Sequence, residues 1–300
     1  MEIQEKHQIS LYLVHLSYIN RRYYILMLYC LWLMFNNVVK AYFMFEEQEI
    51  SQLKDTTNWK VLILSILYPV VYIPSLIVST IIFNAYSIRV GITIAVIFQG
   101  IGTILNWLLY LSIDCLIVGH TLWAIANPML ISCIACIPAL WFEESKRIMT
   151  ITLSWVCILI GNTIGYFFPK VIQLFGYQYG VLLSCSVLAI SGVILAILVL
   201  FTFQGEPEQP PSCMATVDRD DDIIGTIRLL LIDKAFLKVT FTLSLYYIVF
   251  LTTRSNIFVL LKDFWLIIEH SWVFVIAFRV GGIIGSICAG ITLHKYRWYK

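Results

Sequence analysis

Gln204–Arg228, QGEPEQPPSCMATVDRDDDIIGTIR, is the stretch on which the reading of the whole chain turns. Six long apolar segments precede it and two follow. It therefore reads as a polar linker between two sets of membrane helices, the first set complete and the second stopping after two of an expected six. Asp218, Asp220, Asp221 and Asp222 supply much of its charge. They lack the alternating ligand spacing, the glycine and the closing glutamate of a calcium loop, so a solvated linker is the better account.

The composition around the linker belongs to a membrane protein. The chain has 300 residues, 60% hydrophobic and 13% charged, with a mean hydropathy of +0.86; soluble domains carry about a quarter charged residues. A run of about 20 apolar residues crosses the hydrocarbon as a helix, because a helix satisfies its own backbone amides where there is no water. Nucleic-acid binding is excluded by the lack of any basic stripe. The eight cysteines are scattered, seven of them within apolar segments, where they read as small packing residues rather than a disulfide framework. Cys133 and Cys136 lie inside a bilayer-length run, the wrong setting for a redox or metal motif.

The fold class expected is an all-α polytopic membrane protein of about eight transmembrane helices. Residues 1–22 form a short cytoplasmic lead with no signal-peptide cleavage pattern. Spans are predicted at about 23–45, 61–83, 90–111, 115–140, 148–168 and 181–203, which make up an N-terminal six-helix bundle, 23–203. The central loop covers 204–235. A partial second bundle, 236–293, holds spans at about 236–261 and 271–293, and residues 294–300 form a tail. Lys and Arg cluster on one side: Arg21, Arg22, Arg89, Lys146, Arg147, Arg219, Arg228, Lys234, Lys295, Arg297 and Lys300, against Lys54, Lys60, Lys170 and Lys262. The positive-inside rule then puts both termini and the central loop in the cytoplasm. Whether the membrane is that of the cell surface or of an organelle does not follow.

Polar and charged residues inside such spans are costly and usually face a cavity or a partner. Asn36, Asn37 and Lys40 lie in the first span, and Asn36 and Lys40 share a face. Lys40 either faces a cavity or snorkels to the outer surface a turn from Glu46. Asn127 and His120, seven apart in the fourth span, also share a face. Tyr246 and Tyr247 offer an aromatic wall in the seventh span, while Arg254 there and Arg279 in the eighth have no acidic neighbour on their own helix. Gly161 with Gly165, and Gly281, Gly282, Gly285 and Gly290, give small faces for close helix approach. There is no phosphate-binding glycine loop, H-E-x-x-H or G-x-S-x-G, so an enzyme is not expected, and no cofactor is expected either.

Several stretches carry a resemblance. Asn84-Ala85-Tyr86-Ser87-Ile88-Arg89 occupies the turn where major facilitator transporters have G-x-x-x-D-x-x-G-R-[RK]; it keeps a basic residue and lacks the aspartate. Trp141-Phe142 before a charged turn, the run Gly161–Pro169 (GNTIGYFFP), Ile284–Gly290 (IGSICAG), Arg21-Arg22, and Leu293-His294-Lys295-Tyr296 resemble the feline leukaemia virus subgroup C receptor-related family, which has an acidic residue in place of His294. The resemblance implies a major facilitator fold of two six-helix bundles built from inverted repeats, with solute held between them, and transport of choline, ethanolamine or heme. The residues expected to line a solute cavity are Asn37, Lys40, Asn127, Tyr247 and Arg254, of which Asn127 also sits at a polar amide position that looks like part of that family's substrate site, with Asn84 and Arg89 expected at a cytoplasmic gate. The resemblance also places an aromatic that cages the solute's ammonium group near Lys40, where a lysine would repel such a cation. Partners expected are a small-molecule substrate, the lipid bilayer and further helices completing the second bundle. The alternative expectation is a truncated, transport-incompetent membrane protein acting only through helix association.

Overall fold

The computed structural model describes residues 20–43, 58–108, 112–165, 167–168, 175–207, 223–261 and 271–296, though not the side chains of residues 58, 59, 61, 62, 64, 65, 177, 178, 223, 224, 247, 250–261 and 271–276. Within them the chain forms nine helices: α1 (Asn20–Phe43), α2 (Asn58–Ala85), α3 (Ile88–Trp107), α4 (Ile113–Trp141), α5 (Glu144–Gly165), α6 (Tyr177–Thr202), α7 (Ile223–Ile232), α8 (Lys234–Leu261) and α9 (Ser271–Tyr296). Seven of these, α1 to α6 and α9, are long and apolar enough to cross a membrane.

Helix ends follow local chemistry. Ser112 caps α4, its Oγ accepting from the Asp114 amide at 3.1 Å, and Asp233 caps α8 in the same way, accepting from the Ala235 amide at 2.8 Å. At the far end of α4 the Arg147 guanidinium donates to the carbonyls of Ala139 and Phe142, two acceptors the helix cannot satisfy itself. Glu144 opens α5 four residues before the expected start, because an acidic first turn suits the positive helix end. The prolines inside α2 and α4 are carried without breaking either helix.

α7 falls within the stretch expected to be loop. Its ten residues, IIGTIRLLLI, are too few to span a bilayer, and so an apolar run was absorbed into the linker. The helix nevertheless forms, and Asp233 then links it directly to α8, through Asp233 N–H to Leu229 O at 3.2 Å and Leu237 N–H to Asp233 O at 3.0 Å.

The chain divides into two compact units, residues 1–216 with 282–300 and residues 217–281. The first contains α1 to α6, and α1 is their hub. It runs antiparallel to α4, with Tyr23 against Phe142, Asn36 against Asn127 and Phe43 against His120. It is also antiparallel to α6, Tyr24 meeting Thr202 and Tyr42 meeting Cys185. Its course is parallel to α5, where Gly161 and Gly165 admit the α1 backbone so closely that a Cβ would strike the Met34 and Val38 carbonyls. α3 and α4 cross just as closely at Gly102 and Gly119, each glycine covered by a side chain one turn along the other helix, Trp123 over Gly102 and Asn106 over Gly119. Two apolar cores result, a larger one around Tyr29, Leu33, Met129 and Trp141 and a smaller one around Tyr42, Leu116 and Trp123. The second unit comprises α7, α8 and the first part of α9, and most of its described side chains are exposed.

Candidate functional site

A directional ladder of buried side-chain amides ties α1, α3 and α4 together at mid-span. Trp32 Nε1 donates to Gln99 Oε1 at 2.5 Å, Gln99 Nε2 to Asn36 Oδ1 at 2.7 Å, and Asn36 Nδ2 to Asn127 Oδ1 at 2.8 Å. All four side chains are buried. A second, shorter chain crosses to α5: Asn162 Nδ2 donates to Asn37 Oδ1 at 3.3 Å, while Asn37 Nδ2 returns to the Leu33 carbonyl at 2.8 Å. Neighbouring asparagines on α1 thus serve opposite sides of the bundle. In a low-dielectric interior such paired amides hold helices in register, since an unpaired one costs several kcal/mol.

Beside the ladder the bundle keeps a polar face. From Asn36 to Phe43 every side chain of α1 is buried except Lys40, which is partly exposed. Its ammonium lies 4.5 Å from the centre of the Tyr68 ring on α2, close enough for cation–π attraction. Tyr68 in turn stacks on Tyr72, centroids 6.4 Å apart. α2 itself has two faces. Ile66, Val70, Ile73, Ile77 and Ile81 are exposed, whereas Tyr68, Tyr72, Ser75 and Ser79 are partly or fully buried at the three-to-four-residue spacing of one helix side. Ser79 Oγ is wholly buried with no hydrogen-bond partner among the described residues.

Each end of the bundle carries a contact between opposite charges. At one, Lys60 Nζ meets Asp114 Oδ1 at 2.7 Å, joining the starts of α2 and α4. At the other, Arg22 lies over the rings of Tyr23 and Phe142 and 3.9 Å from Glu143. Tyr68 is about 12 Å further along α2 than Lys60 at 1.5 Å per residue. Lys40, over Tyr68, is therefore held well inside the rim that Lys60 and Asp114 mark, not reaching out to it. At the Arg22 end, Phe83 packs its ring on Gly91 to tighten the α2–α3 turn. Gly205 lies against the Arg89 backbone and accepts from Trp141 Nε1 at 3.2 Å.

The residues singled out from the sequence occupy these features unevenly. Asn37 and Asn127 enter the two amide chains, and Lys40 faces the tyrosines. Asn84 and Arg89 stand at the α2–α3 turn, Asn84 partly buried and Arg89 exposed. Tyr247 and Arg254 fall on α8, but their side chains lie outside the described residues. Arg279 on α9 is buried. Sequence reasoning passed over Trp32, Gln99 and Asn162 as members of the site. A signal was available for the latter two, each an amide within a span. The described cysteines are free thiols.

No family model matches the chain, and no curated protein does. Among solved structures it is similar to the fucose:proton symporter of E. coli, FucP, with a TM-score of 0.54 at 15% identity. The match takes in 73% of this chain and 57% of the symporter, so the chain spans less than two thirds of that protein's length. The likeness is one of fold: the described residues form an all-helical, polytopic membrane architecture like that of the symporter.

Proposed function

We propose that the chain is a secondary-active or facilitative transporter that moves a small organic solute across a membrane by alternating access. The observation that carries this reading is the polar face maintained inside the bilayer. Lys40, Tyr68, Tyr72, Ser75 and Ser79 lie on the sides of α1 and α2 turned into the bundle, at a depth where polar groups are kept for a solute or ion rather than for stability. The fold likeness to a symporter agrees with it. In this reading Lys40 contacts the solute, Arg254 is tested beside it, and the amide ladder that includes Asn127 keeps α1, α3 and α4 moving as one body. Asn84 and Arg89 form the gate at one end and Lys60 with Asp114 closes the other. Both termini are placed in the cytoplasm, as the lysine and arginine distribution favours.

The comparisons give no support to choline, ethanolamine or heme, which rest on sequence resemblance alone. The test is metabolite profiling of cells expressing the chain, Lys40→Ala or Arg254→Ala, against empty vector. At least one small solute should enter or leave faster than in control cells, saturably, with both variants reduced at equal surface expression. Profiles indistinguishable from the control would overturn the reading and favour a role in helix association without transport.

A further inference from the structure

We infer that the first residues of the central linker belong to the gate, with Trp141 and Gly205 as positioning residues that hold the α2–α3 turn and, through it, Arg89. The role of Arg89 as a gate rests on the transport reading; the contact that holds its backbone does not.

The linker leaves α6 as a fixed strap. Phe203 ends that helix by donating its N–H to the Val199 carbonyl at 3.0 Å, and both residues are buried in the larger core. One residue earlier, Thr202 Oγ1 accepts from the Tyr24 hydroxyl on α1 at 3.2 Å. Two residues later, the Gly205 carbonyl accepts from Trp141 Nε1 at 3.2 Å. Trp141 closes α4 and is 1% exposed. An indole enclosed in a close-packed core keeps its N–H in one place, so Gly205 is tied to a point that does not follow it outward.

The turn leans on this strap. A Cβ on Gly205 would lie 2.9 Å from the Arg89 N and Cβ and 3.4 Å from its Cα, atoms that move only with the backbone. Room is what requires glycine here, since Gly176 is the glycine with positive φ among the described residues. Support of this kind matters because the turn does little to hold itself. Ser87 stands at the N-cap position of α3 yet makes no side-chain bond to the first amides of that helix, the bond through which a serine usually stabilises a helix start. Phe83 braces the turn at Gly91, and Gly205 braces it at Arg89. Between these two contacts Tyr86 and Arg89 are exposed, so the strap fixes the backbone from which they project. A displacement of Gly205 from Trp141 takes away the support beside Arg89, which couples the linker to the gate.

The experiment follows amide hydrogen exchange of the full chain in lipid nanodiscs and counterflow of a labelled cell metabolite extract in proteoliposomes. Trp141→Phe keeps a ring in the core and removes the N–H. Protection of residues 84–91 should fall about fivefold, as expected for one hydrogen bond lost from a local opening, while residues 112–118 at the other end of the bundle keep theirs. Gly205→Ala should give the same local loss from the opposite partner, which keeps the inference testable if Trp141→Phe melts early. The double variant should lose no more than the larger single one, because both substitutions break one contact. Each variant should slow the flux of whichever solutes the chain moves, and in the Arg89→Gln background Trp141→Phe should alter flux no further. Unchanged protection at 84–91, or an equal loss at 112–118, would overturn the positioning role. A local loss with normal flux, or one that slows flux equally with and without Arg89→Gln, would overturn the link to the gate. No solute moved by the unsubstituted chain sinks the transport reading and the gate with it, whereas the hydrogen-exchange result decides the contact by itself.

Discussion

Asn36 on α1 donates its amide to Asn127 on α4 across 2.8 Å of buried interior, ninety-one residues apart in sequence. Asn36 also accepts from Gln99, so it is the node at which three helices meet. Replacing Asn36 with Leu leaves the Gln99 amide and the Asn127 carbonyl without their partner, at an expected cost of about 1–2 kcal/mol. A double-mutant cycle of Asn36→Ala and Asn127→Ala, followed by unfolding in mixed micelles, should show a coupling of about 1 kcal/mol. Additive effects would mean that the hydrogen bond contributes nothing to the bundle.

The α1–α5 contact depends on the missing side chain at Gly161. A Cβ there meets the Met34 backbone, which cannot rotate away as a side chain would. Gly161→Ala should therefore destabilise the protein by about 1–3 kcal/mol, the usual range for overpacking. Gly285 on α9 has nothing within 4 Å of such a Cβ among the described residues, and Gly285→Ala should be neutral or stabilising by up to about 1 kcal/mol through helix propensity. Equal effects of the two substitutions in the same unfolding assay would show that close helix approach at Gly161 is not required.

Arg22 holds the start of α1 by its shape as much as by its charge. It covers the Phe142 and Tyr23 rings and approaches Glu143 at 3.9 Å, a distance too long for a strong ion pair by itself. Arg22→Lys keeps the charge and loses the planar surface, and is expected to recover less than half the stability that Arg22→Gln loses. Full recovery by lysine would assign the contact to Glu143 instead.

Lys60 and Asp114 should behave in the opposite way. Asp114 is 66% exposed, so water screens the pair and it adds little to stability. Lys60→Met should barely alter the unfolding midpoint, yet increase the labelling of a cysteine introduced at Ser75 by a membrane-impermeant maleimide. Unchanged labelling would show that the pair does not close that end.

Much of this architecture is legible in the sequence, for a physical reason. Bilayer thickness fixes span length, and the predicted spans lie within a few residues of helices that begin at Ser112 or end where Arg147 satisfies the α4 carbonyls. Asn36, Asn37, Asn127 and Lys40 were recognisable because polar groups in lipid are rare and costly. Even the shared face of His120 and Asn127 reappears, as both turn to α1 at Phe43 and Asn36. Which residue each meets was not legible, because pairing is a property of two helices and a single helix shows only its own faces. Gln99 therefore looked like one more polar residue until α3 was placed beside Trp32 and Asn36. The depth of Lys40 likewise depended on α2, whose Tyr68 fixes the ammonium well inside the rim.

Counterflow in proteoliposomes tests the central claim most directly. Vesicles containing the purified chain are preloaded with a cell metabolite extract, and the flux of each labelled solute is followed against empty vesicles. The account predicts at least one solute that exchanges saturably and faster when the same solute is present on the opposite side, as alternating access requires. Flux equal to that of empty vesicles for every solute, from protein that melts cooperatively, would contradict it.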